Sequence, residues 1–142
     1  MCIRDRFEIG KKVLAAGMMP ILEPEIDIYA TDKAECEAML KDQLLFQLDQ
    51  LEDHQQVILK LTLPEEDNFY SELIDHPNCL RMVALSGGYS LEEATTRLTR
   101  QHNLSASFFR AFSQNLKVSQ SDEEFSKVLK EAVSSIYNAS IT

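Results

Sequence analysis

The chain has 142 residues, 44% of them hydrophobic, and it carries only four glycines and four prolines. This length and composition predict one folded domain with a hydrophobic core rather than a disordered chain. The net charge of −9 offers no basic surface to neutralise phosphates, which excludes a nucleic-acid backbone as a partner.

Neither a membrane segment nor an export signal is recognisable in the sequence, so no membrane partner is predicted. No apolar stretch approaches the roughly 20 residues that span a bilayer. Cys2, Cys36 and Cys79 are odd in number and lack the spacing of a zinc site. They therefore predict free thiols in the reduced cytoplasm and no bound metal.

Strands and helices alternate along the chain. Four strands are predicted, at residues 18–25, 56–63, 80–85 and 104–110. Helices are predicted up to Gly17, at residues 32–51, 68–74 and 90–101, and from residue 121 onward, the last two opening with capping boxes at Ser90 and Ser121. Strands separated by helices pair in parallel through right-handed crossovers, so the pattern predicts a single α/β unit.

Two predictions concern the faces of the helices. The acidic stretch Glu35-Cys36-Glu37 is expected to be a solvated or helix-capping face. The last helix is expected to turn seven apolar side chains inward: Phe125, Val128, Leu129, Ala132, Val133, Ile136 and Tyr137.

Lys60 is a single charge within the apolar run at residues 57–63. Such a run is typical of a strand covered on both faces, and alternation places Lys60 on one face with Ile58 and Thr62. An ammonium ion buried there without a partner tends toward the neutral amine, which can attack a carbonyl carbon and form a Schiff base. The alternative is a lysine whose stem packs along the strand while its head reaches water.

The carboxyl ends of parallel strands meet at one edge of a sheet, where the sites of such folds collect. The first strand ends in Glu23-Pro24-Glu25. Two carboxylates on one face can serve as general acid and base. The alternative is a polar turn in which Pro24 breaks the strand and both acids are solvated.

A phosphate site is predicted from the ends of the last two strands. Ser86, Gly87 and Gly88 form a small-residue loop leading into a helix N-terminus, where backbone amides can approach an anion. Arg110, at the end of the fourth strand, can pair with the same phosphate. Each signal alone also fits an ordinary turn or surface charge. Together with Lys60 and the carboxylates, they predict carbonyl chemistry on a sugar phosphate.

Four segments in this order resemble class I fructose-bisphosphate aldolase, with the bacterial form the most similar. They are MPILEPEI at 19–26, ILKLT at 58–62, LSGGYS at 85–90 and SFFRA at 107–111, and the resemblance extends over residues 7–140. It implies a glycolytic lyase that needs no metal or cofactor and reversibly cleaves fructose 1,6-bisphosphate into dihydroxyacetone phosphate and glyceraldehyde 3-phosphate.

The resemblance also implies roles for individual residues. By position, Lys60 matches the Schiff-base lysine, Glu23 the proton-transferring glutamate and Glu25 a second glutamate of the surrounding charge network. The phosphate-binding groups of the family match Ser86, Gly87 and Arg110, with Gly88 in the same loop.

The family's fold is a (β/α)8 TIM barrel, and the resemblance implies that residues 7–142 are four consecutive βα units of its carboxyl-terminal half. Residues 1–6 do not resemble the family and are interpreted as an extraneous start. A half barrel leaves two strand edges and its inner face open, which predicts self-association into a homo-oligomer.

Two other functions remain open. The chain could bind a sugar phosphate without turnover, because the charged groups of the family's first strands have no counterpart here, or it could be a structural half barrel that serves only in assembly. A transaldolase is less favoured, since the Glu-Pro-Glu and Ser-Gly-Gly pair indicates the aldolase pattern. Phe109 stands where the family usually has a smaller residue.

Overall fold

A computed structural model describes residues 2–142 of the chain. It contains strands β1 (Ile21–Leu22), β2 (Val57–Thr62), β3 (Cys79–Leu85) and β4 (Ser105–Ala106), and helices α1 (Ile3–Ala15), α2 (Lys33–Leu48), α3 (Ser71–Ile74), α4 (Leu91–Leu98), α5 (Arg110–Ser113) and α6 (Asp122–Ser140). The strands form one parallel sheet in the order β1-β2-β3-β4. The predicted α/β fold with consecutive parallel strands is confirmed.

The hydrophobic core lies on one face of this sheet. Leu59, Leu61 and Leu63 are fully buried there, in one cluster with apolar side chains of α2, α3 and α4. On the opposite face, Ile58 and Lys60 are only half-buried. The expectation that β2 is covered on both faces is therefore wrong, because its second face remains partly open to solvent.

The outer strands are shorter than predicted. Within residues 2–142, β1 pairs only with β2, and β4 pairs only with β3. In the described part of the chain, each of these two outer strands is hydrogen-bonded on one side only and is two residues long. In contrast, β2 and β3 pair with each other over most of their length. The predicted strand at 104–110 is thus wrong beyond Ala106, and Arg110 is the first residue of α5 instead of the end of a strand.

The predicted helix boundaries follow local signals. Gly17, with φ of 75°, ends α1, and the N–H groups of Gly17 and Met18 donate to the carbonyls of Leu14 and Val13. The capping box at Ser121 is complete. At Ser90 only half of it forms, because the Glu93 side chain pairs with Arg97 instead.

The long helix α6 differs from its prediction in the width of its buried face. Ala132 is buried, and Val128, Leu129 and Ile136 are half-buried as expected. Three of the seven side chains are exposed, by 39 to 62%: Phe125, Val133 and Tyr137. Neither α6 nor any other helix among the described residues is long and apolar enough to cross a membrane.

Candidate active site

A cleft of about 260 Å³ lies at the carboxyl edge of the sheet. Its lining is formed by Glu23, Glu25, Lys60, Leu85, Ser86, Gly87, Ser107, Phe109 and Arg110. The structure thus brings together six of the seven predicted site residues, and Gly88 alone is outside this lining. Residues from the ends of all four strands meet here because parallel pairing aligns their carboxyl ends.

Lys60 and Glu23 form an ion pair in this cleft. The register joins Leu22 to Leu59, so the next residues along each strand, Glu23 and Lys60, are neighbours. Their Nζ and Oε1 atoms are 2.7 Å apart, and the side chains are 22% and 46% exposed. Lys60 therefore has an anionic partner, contrary to the expectation of an unpartnered buried ammonium, and its amine remains accessible from the cleft.

The Ser-Gly-Gly loop is a tight turn after β3. The N–H of Tyr89 donates a hydrogen bond to the carbonyl of Ser86, with 2.9 Å between N and O. Gly87 has φ of 60°, and a Cβ atom there would lie 2.9 Å from Cγ2 of Ile28. Glycine is favoured at this position, because a side chain there would strain the backbone and press against Ile28.

The cationic end of the cleft is Arg110. Its Nη2 lies 3.9 Å from Oε1 of Glu25, and the two side chains are 70% and 51% exposed. A solvated pair at this distance is weak, so the guanidinium is free to turn toward another anion. Phe109, 78% exposed, lies beside it in the lining.

Ser107 also lines the cleft, although no sequence pattern predicted a role for it. Its N–H donates to the carbonyl of Ala84 with 2.8 Å between N and O, and this hydrogen bond completes the pairing of Ala106 with Ala84 at the end of β4. Alternation from Ser105, combined with the position at a strand end, is the signal that could have identified it.

A second group of charges joins the loops that follow the strands. Lys33, which is 4% exposed, donates hydrogen bonds to Glu37 and to the carbonyl of Leu63, the latter at 3.0 Å. Its Nζ is also 3.0 Å from Oε1 of Glu65. Glu37 is 1% exposed, so the prediction of a solvated face at this residue is wrong.

Glu65 extends this network to the loop after β3. Its second oxygen lies 3.3 Å from Nη1 of Arg97, whose guanidinium stacks 4.4 Å over the ring of Tyr89. Burial by itself raises the pKa of Glu65, but Lys33 and Arg97 outweigh it and hold that pKa below its usual value. Burial likewise lowers the pKa of Lys33, yet the hydrogen bonds and charges of Glu37 and Glu65 leave it raised overall.

Comparison with known proteins identifies relatives of the whole chain. No family model matches it. A class 1 fructose-bisphosphate aldolase of Synechocystis sp. is 51% identical over 140 residues, which are 99% of this chain and 47% of the relative. The proteins of the same name from Clostridium acetobutylicum and Porphyromonas gingivalis are 47% identical over 142 residues and 48% identical over 139 residues.

These two alignments cover 100% and 98% of the chain, and 48% and 47% of the relatives. The chain thus spans about half the length of the curated relatives it matches. The alignment with the Clostridium acetobutylicum protein covers every residue of the cleft described above. By sequence, the chain belongs to the class 1 fructose-bisphosphate aldolase family.

Proposed function

We propose that this chain carries the Schiff-base half of an aldolase site, which acts on fructose 1,6-bisphosphate in reversible cleavage to dihydroxyacetone phosphate and glyceraldehyde 3-phosphate. The observation that carries the proposal is the accessible amine of Lys60, 2.7 Å from the Glu23 carboxylate, within a cleft that also contains a glycine loop and an arginine. An amine nucleophile beside an acid/base group is what Schiff-base chemistry requires.

The chemistry assigned to Lys60 is imine formation. The lone pair of its neutral amine adds to the ketone carbon of the substrate, and the oxygen leaves as water once it has been protonated. Glu23, within hydrogen-bond distance of Nζ, accepts a proton from the amine and returns one to the leaving oxygen. The resulting iminium then accepts the electron pair of the carbon–carbon bond that breaks, while the hydroxyl group on the departing carbon gives its proton to the Glu23 carboxylate and becomes the carbonyl of the aldehyde.

The phosphate of the ketose is assigned to the opposite wall of the cleft. Arg110 supplies the positive charge and can leave its weak contact with Glu25 when a phosphate enters. Ser86 and Gly87 supply small groups that let the backbone approach the anion. Gly88 belongs to the same turn and allows it to close, with φ of 110°.

We also propose that the sheet is the carboxyl-terminal half of an eight-stranded barrel. In its support, the strands follow one another in chain order, and both outer strands end in a free edge within residues 2–142. The edge at β4 is flanked by the exposed apolar side chains of Val133 and Tyr137 on α6. An unpaired edge beside such a surface is where a further strand and helix would pack.

Two further proposals concern partners and location. Open edges favour association between copies of this chain. A cytoplasmic location agrees with the three cysteines, Cys2, Cys36 and Cys79, which are all free in the structure.

Borohydride trapping tests the proposed function directly. The protein is incubated with dihydroxyacetone phosphate and reduced, and the adduct is located by intact mass and peptide mapping. We expect one reduced adduct, on Lys60. The Lys60→Met variant should form none. Lys41→Met, which removes a lysine of α2 that pairs with Glu72 of α3, should form it as the unaltered protein does.

Binding measurements separate the other two functions. If Lys60→Met still binds dihydroxyacetone phosphate while the unaltered, folded protein forms no adduct, the chain is a sugar-phosphate-binding unit without chemistry. If neither protein binds a phosphorylated ketose, the assembly function remains. An adduct on another lysine would contradict the role given to Lys60.

A further inference from the structure

The side chain of Thr62 makes two hydrogen bonds to one residue of the segment that follows β1. Its Oγ1 accepts the N–H of Ile26 at 2.9 Å and donates to the carbonyl of the same residue at 3.1 Å. Thr62 is 1% exposed. A buried hydroxyl therefore satisfies both backbone groups of Ile26, as a neighbouring strand would do.

This contact holds the segment that follows β1 against the end of β2. At one end, Leu22 pairs with Leu59, and at the other, Ile26 is held by Thr62. The segment between these two contacts is Glu23-Pro24-Glu25, whose middle residue is a proline with a fixed φ. Since β1 is only two residues long, its own pairing gives the carboxylates little support.

The methyl group of Thr62 points to a second neighbour. Its Cγ2 would lie 3.4 Å from a Cβ atom at Gly87, so the methyl group lies beside the Ser-Gly-Gly loop. The hydroxyl of this side chain thus contacts the segment after β1, whereas its methyl group lies beside the Ser-Gly-Gly loop. Substitutions that remove only one of them can separate the two effects.

We propose that Thr62 is a positioning residue whose hydroxyl clamps Ile26 and thereby holds the Glu23 carboxylate against the Lys60 amine. It touches no reacting atom, and it acts through the backbone that carries Glu23. The functional part of this inference rests on the proposed imine chemistry at Lys60. The clamp itself is a statement about the backbone of Ile26 and can be measured without any substrate.

Two variants of Thr62 and one control test the clamp. Thr62→Val removes the hydroxyl and keeps the shape, and Thr62→Ser keeps the hydroxyl and removes the methyl group. The control, Thr95→Val, removes another buried hydroxyl, which donates to the carbonyls of Leu91 and Glu92 within α4, away from the cleft. Two quantities are measured: amide hydrogen exchange of Ile26 by NMR and the rate of borohydride trapping over a range of dihydroxyacetone phosphate concentrations.

We expect Thr62→Val to speed Ile26 exchange and to slow the maximal trapping rate, each by about tenfold, the effect of losing one buried hydrogen bond. The half-saturating concentration should not change, because the methyl group beside Gly87 is retained. Thr62→Ser should restore both quantities, and Thr95→Val should leave both as they are. A general loss of stability would instead change both Val variants alike.

Three results would overturn the clamp: unchanged Ile26 exchange in Thr62→Val, failure of Thr62→Ser to restore it, or an equal loss in Thr95→Val. If the unaltered protein forms no imine at all, the proposed function fails, and Ile26 exchange still decides whether Thr62 is a clamp. Faster exchange without slower trapping, in a protein that does form the imine, contradicts the positioning role.

Discussion

Lys33 and Glu37 form an ion pair that is closed off from water, with side chains 5% and 1% exposed. Lys33 also donates to the carbonyl of Leu63, and the N–H of Glu65 donates to the second oxygen of Glu37. The pair therefore ties the start of α2 to the chain that follows β2. Because each buried charge is stable only while it keeps its partners, removal of one leaves the other uncompensated.

Replacement of Lys33 by Met should destabilise the protein by about 3–5 kcal/mol, the usual result of breaking a buried ion pair. Urea unfolding measures this free energy. The double variant Lys33→Met/Glu37→Leu should recover much of the loss, since no lone charge remains. Lys127→Met, at an exposed pair with Glu131, should leave the unfolding midpoint unchanged. Equal effects at Lys33 and Lys127 would contradict this prediction.

Local signals predicted most of the fold. The apolar runs of β2 and β3, the glycine after α1 and the capping box of α6 depend on neighbouring residues, so the sequence shows them directly. The candidate site followed from the same logic, because residues at the ends of consecutive parallel strands must meet at one edge. The pairing of Glu23 with Lys60 needed the register of β1, which the sequence alone did not provide.

Contacts between distant segments account for what was missed. Glu37 can be buried because Lys33 and the backbone N–H of Glu65, far along the chain, donate to its carboxylate. Its spacing to Leu40 and Leu44 already placed it on the apolar stripe of α2. The exposure of Phe125 and Tyr137 depends on which elements pack against α6, and no local pattern encodes that. The sequence identified Thr62 only as a neighbour of Lys60 on the strand, because its hydrogen-bond partner, Ile26, lies in the loop after β1.

The charge network should give stability that falls at both ends of the pH scale. The raised pKa of Lys33 means that its contribution is complete below its ordinary pKa of 10.5 and is lost as the pH rises through the higher folded value. The lowered pKa of Glu65 means that its contribution is present above its ordinary pKa of 4.5 and is lost as the pH falls through the lower folded value. Both contributions are intact between these limits.

Unfolding experiments on Glu65→Gln separate the contribution of Glu65 to stability at acid pH from the contributions of the other carboxylates. The difference in unfolding free energy between the unaltered protein and this variant should be constant near neutral pH and should shrink below pH 4.5. The corresponding difference for Lys33→Met should also shrink in strong alkali, where Lys33 loses its charge. A difference for Glu65→Gln that grows as the pH falls would show that the carboxylate does not gain its stability from Lys33 and Arg97.

Replacement of Glu23 by Gln should slow imine formation at Lys60 by about 10²-fold or more, the usual contribution of a positioned acid or base. The amide keeps the shape and the contact with Nζ but cannot accept the proton. Borohydride trapping rates measure the effect. Glu25→Gln is the matched comparison, and its effect should be smaller, because Glu25 lies by Arg110 rather than by Lys60. Equal losses in both variants would assign no separate role to Glu23.

Removal of the Arg110 guanidinium should weaken phosphate binding without preventing imine chemistry. For Arg110→Met we expect the half-saturating concentration of dihydroxyacetone phosphate to rise by at least about tenfold, as expected for one charge-assisted hydrogen bond, while the maximal trapping rate stays the same. Arg81→Met is the control, since Arg81 is an exposed arginine near the start of β3, at the opposite end of the strand from the cleft. An equal rise in both variants would indicate a general charge effect.

Association through the open sheet edge should make the protein larger than a monomer in size-exclusion chromatography with light scattering. Ile21 is 58% exposed on β1, which pairs on one side only within residues 2–142. Ile21→Glu should shift the protein toward the monomer, because a charge on an edge strand opposes pairing with another chain. Met39→Glu, at a 67% exposed position of α2, should leave the size unchanged. A monomeric unaltered protein, or dissociation in both variants, would contradict association through this edge.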